Sequence, residues 1–252
     1  MSDGRSARRD AAEKVYGIAA ATAVLTHRSR DVMTIAYTSQ ARRPLAGLLK
    51  LAARERISYR EVPAEELDRI AGTIHHEGVC LRARPAPPQN LRTIKLALSK
   101  GGYLIALDQI GNPNNVGAIV RSAAFFGARG VLVGGPAKAL TPSAVRTAEG
   151  GAELVPVAHV QDLAEALKAF QAEGVDVVGT DAHDGVPLTR FRFSERSVLV
   201  LGSERAGLSP HVSACCTRRV RIAGASQLDS LNVSVAAGVV MAYAFGAESK
   251  RP

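Results

Sequence analysis

The sequence is poor in cysteine and in aromatic residues, and these shortages exclude several classes of protein. Its 252 residues include six phenylalanines, five tyrosines, no tryptophan and only three cysteines, Cys80, Cys215 and Cys216. Three cysteines cannot build a disulfide framework, and they lack the C-x-x-C spacing of a zinc site. We therefore predict no metal centre and a reducing, cytoplasmic environment. The few aromatic side chains disfavour a surface that binds single strands mainly by base stacking.

Long apolar runs and glycine-rich phosphate loops are missing as well. No segment approaches the roughly 18 apolar residues of a membrane span. The first ten residues are charged and contain no apolar core of a signal peptide. We therefore expect neither export nor membrane insertion. No two glycines are spaced as G-x-G, so the usual dinucleotide fingerprint is absent, and the P-loop pattern is absent too.

Positive charge, in contrast, is plentiful along the whole chain. The formal net charge is +9, with 15 Lys and Arg against 10 Asp and Glu in residues 1–90, and 17 against 13 in residues 91–252. A basic surface suits a polyanionic partner such as nucleic acid. Many basic proteins bind no nucleic acid, so charge alone leaves this partner open.

A proline-rich stretch divides the chain into two α/β patterns. We predict a flexible basic tail over 1–9, a small α/β domain over 10–84, a linker over 85–100 and a larger α/β domain over 101–252. In the small domain, apolar spacing predicts helices and strands in alternation. The helices are Ala11–Leu25, Pro44–Arg56 and Ala64–Ala71, and the strands are Val32–Tyr37, Ser58–Val62 and Gly78–Arg84.

In the larger domain, short apolar runs alternate with helical patterns, which is typical of a mainly parallel sheet covered on both faces. The predicted strands are Tyr103–Leu107, Gly130–Val133, Leu154–Val157, Val175–Gly179, Val198–Leu201 and Arg219–Ile222. The predicted helices are Val116–Phe126, Gln161–Ala172 and Leu231–Phe245.

Three blocks of this domain carry polar residues where a strand-like segment ends, which is where α/β sheets bind ligands. They are Asn112–Arg121 (NPNNVGAIVR), Leu199–Ser209 (LVLGSERAGLS) and Ile222–Val235 (IAGASQLDSLNVSV). In this order, the blocks resemble the SpoU, or TrmH-like, branch of the SPOUT RNA methyltransferases. The resemblance covers nearly the whole larger domain.

The resemblance implies a fold and an activity. It implies a C-terminal trefoil-knotted parallel sheet that holds S-adenosylmethionine, preceded by a smaller α/β domain that binds RNA. It also implies a homodimer that methylates a ribose 2′-hydroxyl of structured RNA, and the two-domain layout favours ribosomal over transfer RNA. An alternative is a non-catalytic RNA-binding or ribosome-assembly protein that has kept the fold.

The first block supplies two residues to the site that the resemblance implies. Its asparagine is Asn115, which could equally be a turn or helix N-cap residue. Its arginine is Arg121, which lies within an apolar helical stretch, so we expect it to be buried with an anionic partner. By resemblance, Arg121 contacts the target nucleotide and helps to activate its 2′-hydroxyl, either as a base or as a phosphate clamp.

The other two blocks supply three more catalytic candidates by resemblance. They are Glu204, which shapes the site, and Ser230 and Asn232, the polar pair at the mouth of the cofactor site. Each block also allows a purely structural interpretation. Glu204 could be a carboxylate favoured by a helix N-terminus, and Ser230 could cap the last helix.

The resemblance also implies four cofactor-binding positions, namely Thr180, Gly202, Ile222 and Leu231. The loop after Ile222 departs from the family. Relatives usually have proline, methionine and a later glycine there, whereas this chain has Ala223, Gly224 and Ser226. This loop wraps the cofactor in relatives, so the departure bears on cofactor affinity.

Overall fold

The computed structural model describes residues 12–135, 140–225 and 230–248, and the predicted tail over 1–9 lies outside them. The chain divides into two compact units. The first unit comprises residues 1–87 and 142–153, and the second comprises residues 88–141 and 154–252. No helix in the described part of the chain is long and apolar enough to cross a membrane.

Helices and strands alternate throughout. In chain order they are β1 (Glu13–Tyr16), α1 (Ile18–Arg28), β2 (Val32–Tyr37), α2 (Ala46–Arg54), β3 (Ser58–Glu61), α3 (Ala64–Ala71), β4 (Val79–Ala83), α4 (Leu91–Leu98), β5 (Gly102–Leu107), α5 (Pro113–Phe125), β6 (Val131–Gly134), α6 (Pro142–Thr147), α7 (Gly151–Leu154), β7 (Val157–Val160), α8 (Leu163–Gln171), β8 (Asp176–Thr180), β9 (Val186–Pro187), β10 (Arg196–Leu201), α9 (Pro210–Ala214), β11 (Arg218–Arg221) and α10 (Val233–Glu248).

The first unit is built on a four-stranded mixed sheet in the order β1-β4-β2-β3. Strand β4 runs antiparallel to both of its neighbours, and β3 runs parallel to β2. One core packs α1 and α2 on one face of this sheet, around Val24, Leu25 and Leu48. A smaller cluster packs α3 on the other face, around Leu67.

The predicted helix over Ala11–Leu25 is wrong in its first half. Residues Glu13–Tyr16 form strand β1, which pairs with β4 from Glu13 opposite Ala83 to Tyr16 opposite Cys80. Helix α1 begins only after Gly17, whose φ of 93° is open to glycine and strained for other residues. Pairing with a distant strand therefore outweighs the local helix preference of the alanine-rich segment.

Residues 142–153 belong to the first unit, although the predicted boundaries place them in the larger domain. Val145 of α6 packs against the core of the first unit. Glu153 accepts a hydrogen bond at 3.1 Å from Nε of Arg28. Because residues 151–154 are helical, the strand predicted over Leu154–Val157 lies three residues later, at Val157–Val160.

The second unit contains a seven-stranded sheet in the order β7-β6-β5-β10-β8-β11-β9. All of its strand pairs are parallel, which confirms the predicted parallel sheet. Helices cover both faces, and every residue of the interior strand β5 is buried. Because the strands are parallel, the carboxyl ends of β5, β10, β8 and β11 lie along one edge.

Candidate functional site

Three polar side chains from three distant segments meet in one hydrogen-bonded cluster in the second unit. The carboxylate oxygen Oε1 of Glu204 accepts from Nδ2 of Asn115 at 3.0 Å and from Nδ2 of Asn232 at 2.6 Å. Nδ2 of Asn232 also lies 3.2 Å from Oδ1 of Asn115, closing the triangle. The structure therefore brings together one predicted residue from each of the three blocks.

Local helix chemistry places Asn115 in this cluster. The side chain of Asn112, not that of Asn115, caps α5 by accepting from the backbone N–H of Asn114 at 2.9 Å. Pro113 follows at the first helical position, where its missing N–H has no cost. Asn115 lies in the first helical turn, and its amide is available to Glu204. The cap interpretation of Asn115 is thus wrong.

Asn232 has two structural tasks at the start of α10. Its Oδ1 accepts from the backbone N–H of Ser234 at 2.9 Å and from the Ser234 hydroxyl at 2.6 Å, which is the geometry of an N-cap. Its Nδ2 points the other way, to Glu204. Ser230 is exposed and lies outside the helix start, so the interpretation of Ser230 as the cap is wrong.

Glu204 both completes the cluster and stabilises a helix terminus. The same oxygen Oε1 accepts from the backbone N–H of Val233, the first residue of α10, at 3.2 Å. A carboxylate at this position interacts favourably with the helix dipole. The helix-terminus interpretation of Glu204 therefore holds alongside the cluster. The other oxygen, Oε2, has no hydrogen-bond donor among the described residues, and Glu204 as a whole is exposed.

The loop that carries Glu204 is held by tight backbone packing. Ser203 and Gly207 exchange two backbone hydrogen bonds, at 3.0 and 2.9 Å. A Cβ atom added to Gly202 would lie 2.2 Å from the carbonyl carbon of Gly207, so only glycine fits there. Gly202 is thus required by the loop's own backbone, independently of any ligand.

Asp108 also fixes this loop, and sequence reasoning missed it. The residue is only 4% exposed, and its Oδ2 accepts from the backbone N–H of Ser209 at 2.6 Å. Its own N–H donates to the carbonyl of Leu201 at 2.8 Å, which ties β5 to β10. The available signal was a carboxylate directly after the apolar run Tyr103–Leu107, at the edge where ligand sites form.

Arg121 is exposed, so the expectation that it is buried is wrong. Helix geometry gives the reason. The buried residues Val116, Ile119, Val120 and Ala123 share one face of α5, and Arg121 lies roughly 140° from Val116 around the helix axis. It also lies about 9 Å of helix rise beyond Asn115.

Three of the four predicted cofactor positions lie at the carboxyl ends of adjacent strands, and the fourth, Leu231, lies just before α10. Thr180 ends β8, Gly202 follows β10 and Ile222 follows β11, and these three strands are neighbours in the sheet. The Thr180 hydroxyl donates to the carbonyl of Val200 at 3.1 Å and so links β8 to β10. Leu231 is 45% exposed, next to Asn232.

The unusual loop after Ile222 is partly described. Ala223 and Gly224 are exposed, and a Cβ atom on Gly224 would meet nothing within 4 Å. Ser226 lies outside the described residues. An open backbone at the edge of a parallel sheet can offer N–H and carbonyl groups to a polar ligand.

Comparison with known proteins matches two segments of the chain to two families. Residues 102–242 match the SpoU rRNA Methylase family. Residues 14–89 match a family described as RNA 2′-O ribose methyltransferase substrate binding. The first match contains the whole polar cluster and all four predicted cofactor positions.

Two curated relatives show how far the similarity extends. A 23S rRNA (guanosine-2′-O-)-methyltransferase, RlmB, of Acinetobacter baylyi is 35% identical over 236 residues, covering 91% of this chain and 95% of the relative. An uncharacterized tRNA/rRNA methyltransferase of Mycolicibacterium vanbaalenii is 41% identical over 198 residues, covering 77% of this chain. The matched part spans 63% of the length of that second relative.

A solved structure supports the fold over the whole chain. The SpoU methyltransferase AviRb from Streptomyces viridochromogenes, crystallised with the cofactor AdoMet, superposes with a TM-score of 0.78 at 25% sequence identity. The superposition covers 100% of this chain and 95% of AviRb. The ordered blocks, the parallel sheet and these matches together show that the chain belongs to the SpoU rRNA methylase family.

Proposed function

We propose that the protein transfers a methyl group from S-adenosylmethionine to a ribose 2′-hydroxyl in structured RNA, with ribosomal RNA favoured over transfer RNA. One observation carries the proposal: a single carboxylate oxygen of Glu204 gathers Asn115 and Asn232, so that polar residues of all three family blocks form one cluster. The 35% identity to a 23S rRNA 2′-O-methyltransferase over 91% of the chain favours ribosomal RNA.

The edge formed by β10, β8 and β11 suits S-adenosylmethionine. Thr180, Gly202 and Ile222 bring polar and backbone groups to this edge, and the half-exposed Leu231 adds apolar surface for an adenine ring. These four residues would hold the cofactor, which supplies an activated methyl group on a sulfonium. The open backbone at Ala223 and Gly224 would line the same site.

Arg121 would bind the RNA, whereas Ser230 and the cluster would lie at the mouth of the cofactor site, where RNA and cofactor meet. A guanidinium is effectively always protonated, so Arg121 is unsuited to act as a base. Its exposure on α5 leaves it able to clamp a phosphate and to stabilise a developing alkoxide. Asn115, Asn232 and Ser230 would orient the ribose through amide and hydroxyl groups beside the Oε2 oxygen of Glu204.

The domain roles and the knot belong to the same proposal. The first unit, residues 1–87 and 142–153, would bind structured RNA, and the second unit, residues 88–141 and 154–252, would hold the cofactor and the chemistry. The predicted linker over 85–100 is wrong in its second half, because residues 91–98 form helix α4, which packs in the core of the second unit. Strand β11 lies between β8 and β9, although β8 and β9 follow each other in the chain. This insertion of a late strand between two earlier ones supports a trefoil knot. We also propose a cytoplasmic location, which the three free cysteines support because free thiols are typical of a reducing compartment.

A homodimer through α5 and α10 is the proposed assembly. Phe125 of α5 is 80% exposed, and Val235 and Tyr243 of α10 are 53% and 45% exposed. A helix that is apolar around its whole circumference needs a partner surface. Arg121 and Phe125 are four residues apart and share one face of α5. Dimerisation there would place Arg121 beside the partner subunit.

Calorimetric titration with S-adenosylmethionine tests the proposal. We expect micromolar binding by the wild-type protein and at least tenfold weaker binding by Asn232→Ala. Asn90→Ala is the matched control, because Asn90 caps α4 by accepting from the N–H of Thr93 at 3.0 Å. Both variants lose one helix cap, which costs about 1 kcal/mol, but only Asn232→Ala loses a cluster residue.

The outcomes separate an enzyme from a non-catalytic protein. Binding of the cofactor followed by incorporation of labelled methyl groups into unmodified 23S rRNA transcript supports the proposal. Absence of cofactor binding both alone and with this transcript present would contradict it and would favour a non-catalytic RNA-binding protein. If Asn232→Ala and Asn90→Ala bound S-adenosylmethionine with equal affinity, the cluster would not be part of the cofactor site.

A further inference from the structure

An arginine-lined cleft lies at the β9 edge of the sheet in the second unit. It is open and has a volume of about 650 Å³. Phe191, Cys216 and the turn at Asp184 line it together with four arginines, which are Arg190, Arg192, Arg218 and Arg219. The proposed cofactor and catalytic residues are all outside its lining.

Two of these arginines are fixed by partly buried carboxylates. Asp176 pairs with the guanidinium of Arg218, whose Nη1 also donates to the carbonyl of Arg192 at 3.0 Å. The guanidinium carbon of Arg218 lies 4.4 Å from the centre of the Phe191 ring, in a cation–π contact. Arg219 pairs with Asp181 at 3.0 Å.

The pKa values of the two carboxylates are consistent with these pairs. Burial would raise the pKa of Asp176, but hydrogen bonds from Arg218 and neighbouring hydroxyls lower it below its usual value. Backbone N–H groups of the following turn lower the pKa of Asp181, and Arg219 adds to this effect. Both carboxylates therefore stay ionised and neutralise the arginines that they hold.

The remaining two arginines carry the free positive charge of the cleft. Arg190 and Arg192 are exposed, and neither side chain has a hydrogen bond or ion pair within the described ranges 12–135, 140–225 and 230–248. Burial raises the pKa of the Cys216 thiol to about 11, so this thiol is uncharged at neutral pH. The Asp184 carboxylate accepts from the N–H of Gly185 at 2.8 Å.

We propose that this cleft binds a backbone phosphate of the RNA substrate through Arg190 and Arg192. The proposal rests on the proposed function, since it assumes that RNA is the substrate. Guanidinium groups match phosphate oxygens in a bidentate fashion, and a rigid floor made by Arg218 on Phe191 limits the entropy lost on binding.

The cleft would hold a nucleotide other than the one that is methylated. The cleft shares no residue with the proposed cofactor site, although its Arg219 pairs in register with Gly179, the neighbour of Thr180. Arg190 and Arg192, which precede strand β10, are separate in sequence from all four proposed cofactor residues. The cleft would therefore add a second contact along the RNA and increase affinity without touching the reacting ribose.

The salt dependence of RNA binding tests this assignment. The double variant Arg190→Ala/Arg192→Ala is compared with the wild type and with Arg92→Ala/Lys100→Ala, which removes the same charge from exposed positions on and just after α4. The probe is an unmodified in vitro transcript of bacterial 23S rRNA. Titration with inorganic phosphate forms a second arm, and S-adenosylmethionine affinity is measured for all three proteins.

We expect the double variant to bind the transcript about tenfold more weakly than the control variant. Its slope of log affinity against log salt should decrease by about 0.7 to 0.9 for each lost phosphate contact. S-adenosylmethionine affinity should be unchanged. Arg190→Lys/Arg192→Lys should recover part of the affinity, because lysine keeps the charge and loses the bidentate geometry.

Three results would overturn the assignment. Equal salt slopes for the double variant and the control would show that the cleft contacts no RNA phosphate. Loss of inorganic phosphate binding with unchanged RNA binding would make it a site for a small anion. If the wild-type protein methylates the transcript and either of these results is found, only the assignment of the cleft is refuted. The third result is a wild-type protein that neither binds nor methylates the transcript, and it would refute the proposed function together with the assignment of the cleft.

Discussion

Replacing Glu204 tests whether its carboxylate organises the site. In Glu204→Ala, Oε1 and its three hydrogen bonds to Asn115, Asn232 and Val233 are lost. Each hydrogen bond contributes about 0.5 to 1.5 kcal/mol, and bonds to a charged group contribute more. Because the cluster is exposed, the freed donors can bind water, so we expect a total loss of about 2 kcal/mol.

The effect on catalysis should exceed the effect on stability. Asn115 and Asn232 belong to segments 117 residues apart, and Glu204 is bonded to both. Without it, small displacements of these segments are expected, and an error of about 1 Å in a reacting geometry can cost roughly 100-fold in rate. We therefore expect Glu204→Ala to reduce kcat/KM about 100-fold and Glu204→Gln, which keeps an acceptor, about tenfold.

The assay measures methyl transfer to an unmodified 23S rRNA transcript together with calorimetric unfolding. Glu165→Gln is a matched control, because Glu165 is exposed in the first turn of α8 and pairs with Lys168 at 2.6 Å. It loses a carboxylate near a helix N-terminus without affecting the cluster. If Glu204→Ala lost stability but kept full activity, Glu204 would be a helix-terminus residue only, and the reasoning would be refuted.

Three other substitutions probe the loop, an ion pair and the proposed dimer. Gly202→Ala should prevent the second unit from folding stably, because its Cβ would lie 2.2 Å from backbone, whereas Gly111→Ala, with nothing within 4 Å, should change the melting temperature little. Asp176→Asn should lower stability by about 1 to 2 kcal/mol at neutral pH. The lowered pKa of this carboxyl means that its contribution is present above the usual pKa of an aspartate, about 4, and is lost as the pH falls below it. The stabilities of the two proteins should therefore converge in acid, and parallel pH profiles would contradict the pair. Phe125→Asp should convert a dimer to a monomer in light scattering, whereas Leu96→Asp, at an equally open position, should not; an unchanged mass for both would exclude the α5 and α10 interface.

Local patterns predicted most of the fold because they report burial directly. Short valine-rich runs indicated the buried strands of a parallel sheet, and Val32–Tyr37 and Ala64–Ala71 were predicted with their observed bounds. The prediction failed where distant pairing decides the structure. Strand β1 forms because β4 lies beside it, and residues 142–153 join the first unit because Val145 packs in its core.

The candidate site was predictable in composition but not in geometry. Resemblance to a family indicated which residues of the three blocks form the site. Their hydrogen bonds, however, depend on which residue caps each helix, and the sequence alone suggested the wrong capping residues. Asn112, not Asn115, caps α5, and Asn232, not Ser230, caps α10. Apolar neighbours in sequence suggested a buried Arg121, but helix geometry turns it away from the buried face.

The exposed cluster is held in place because the loop that carries Glu204 is fixed by buried contacts. Glu204 is open to solvent, but its loop is fixed by the close approach of Gly202 to backbone and by the buried carboxylate of Asp108. The polar groups therefore need no burial of their own, and they remain accessible to a large substrate such as RNA. Order without burial would suit the proposed site, which would hold a ribose in place and then release it, since rigid supports reduce the entropy lost when a substrate binds.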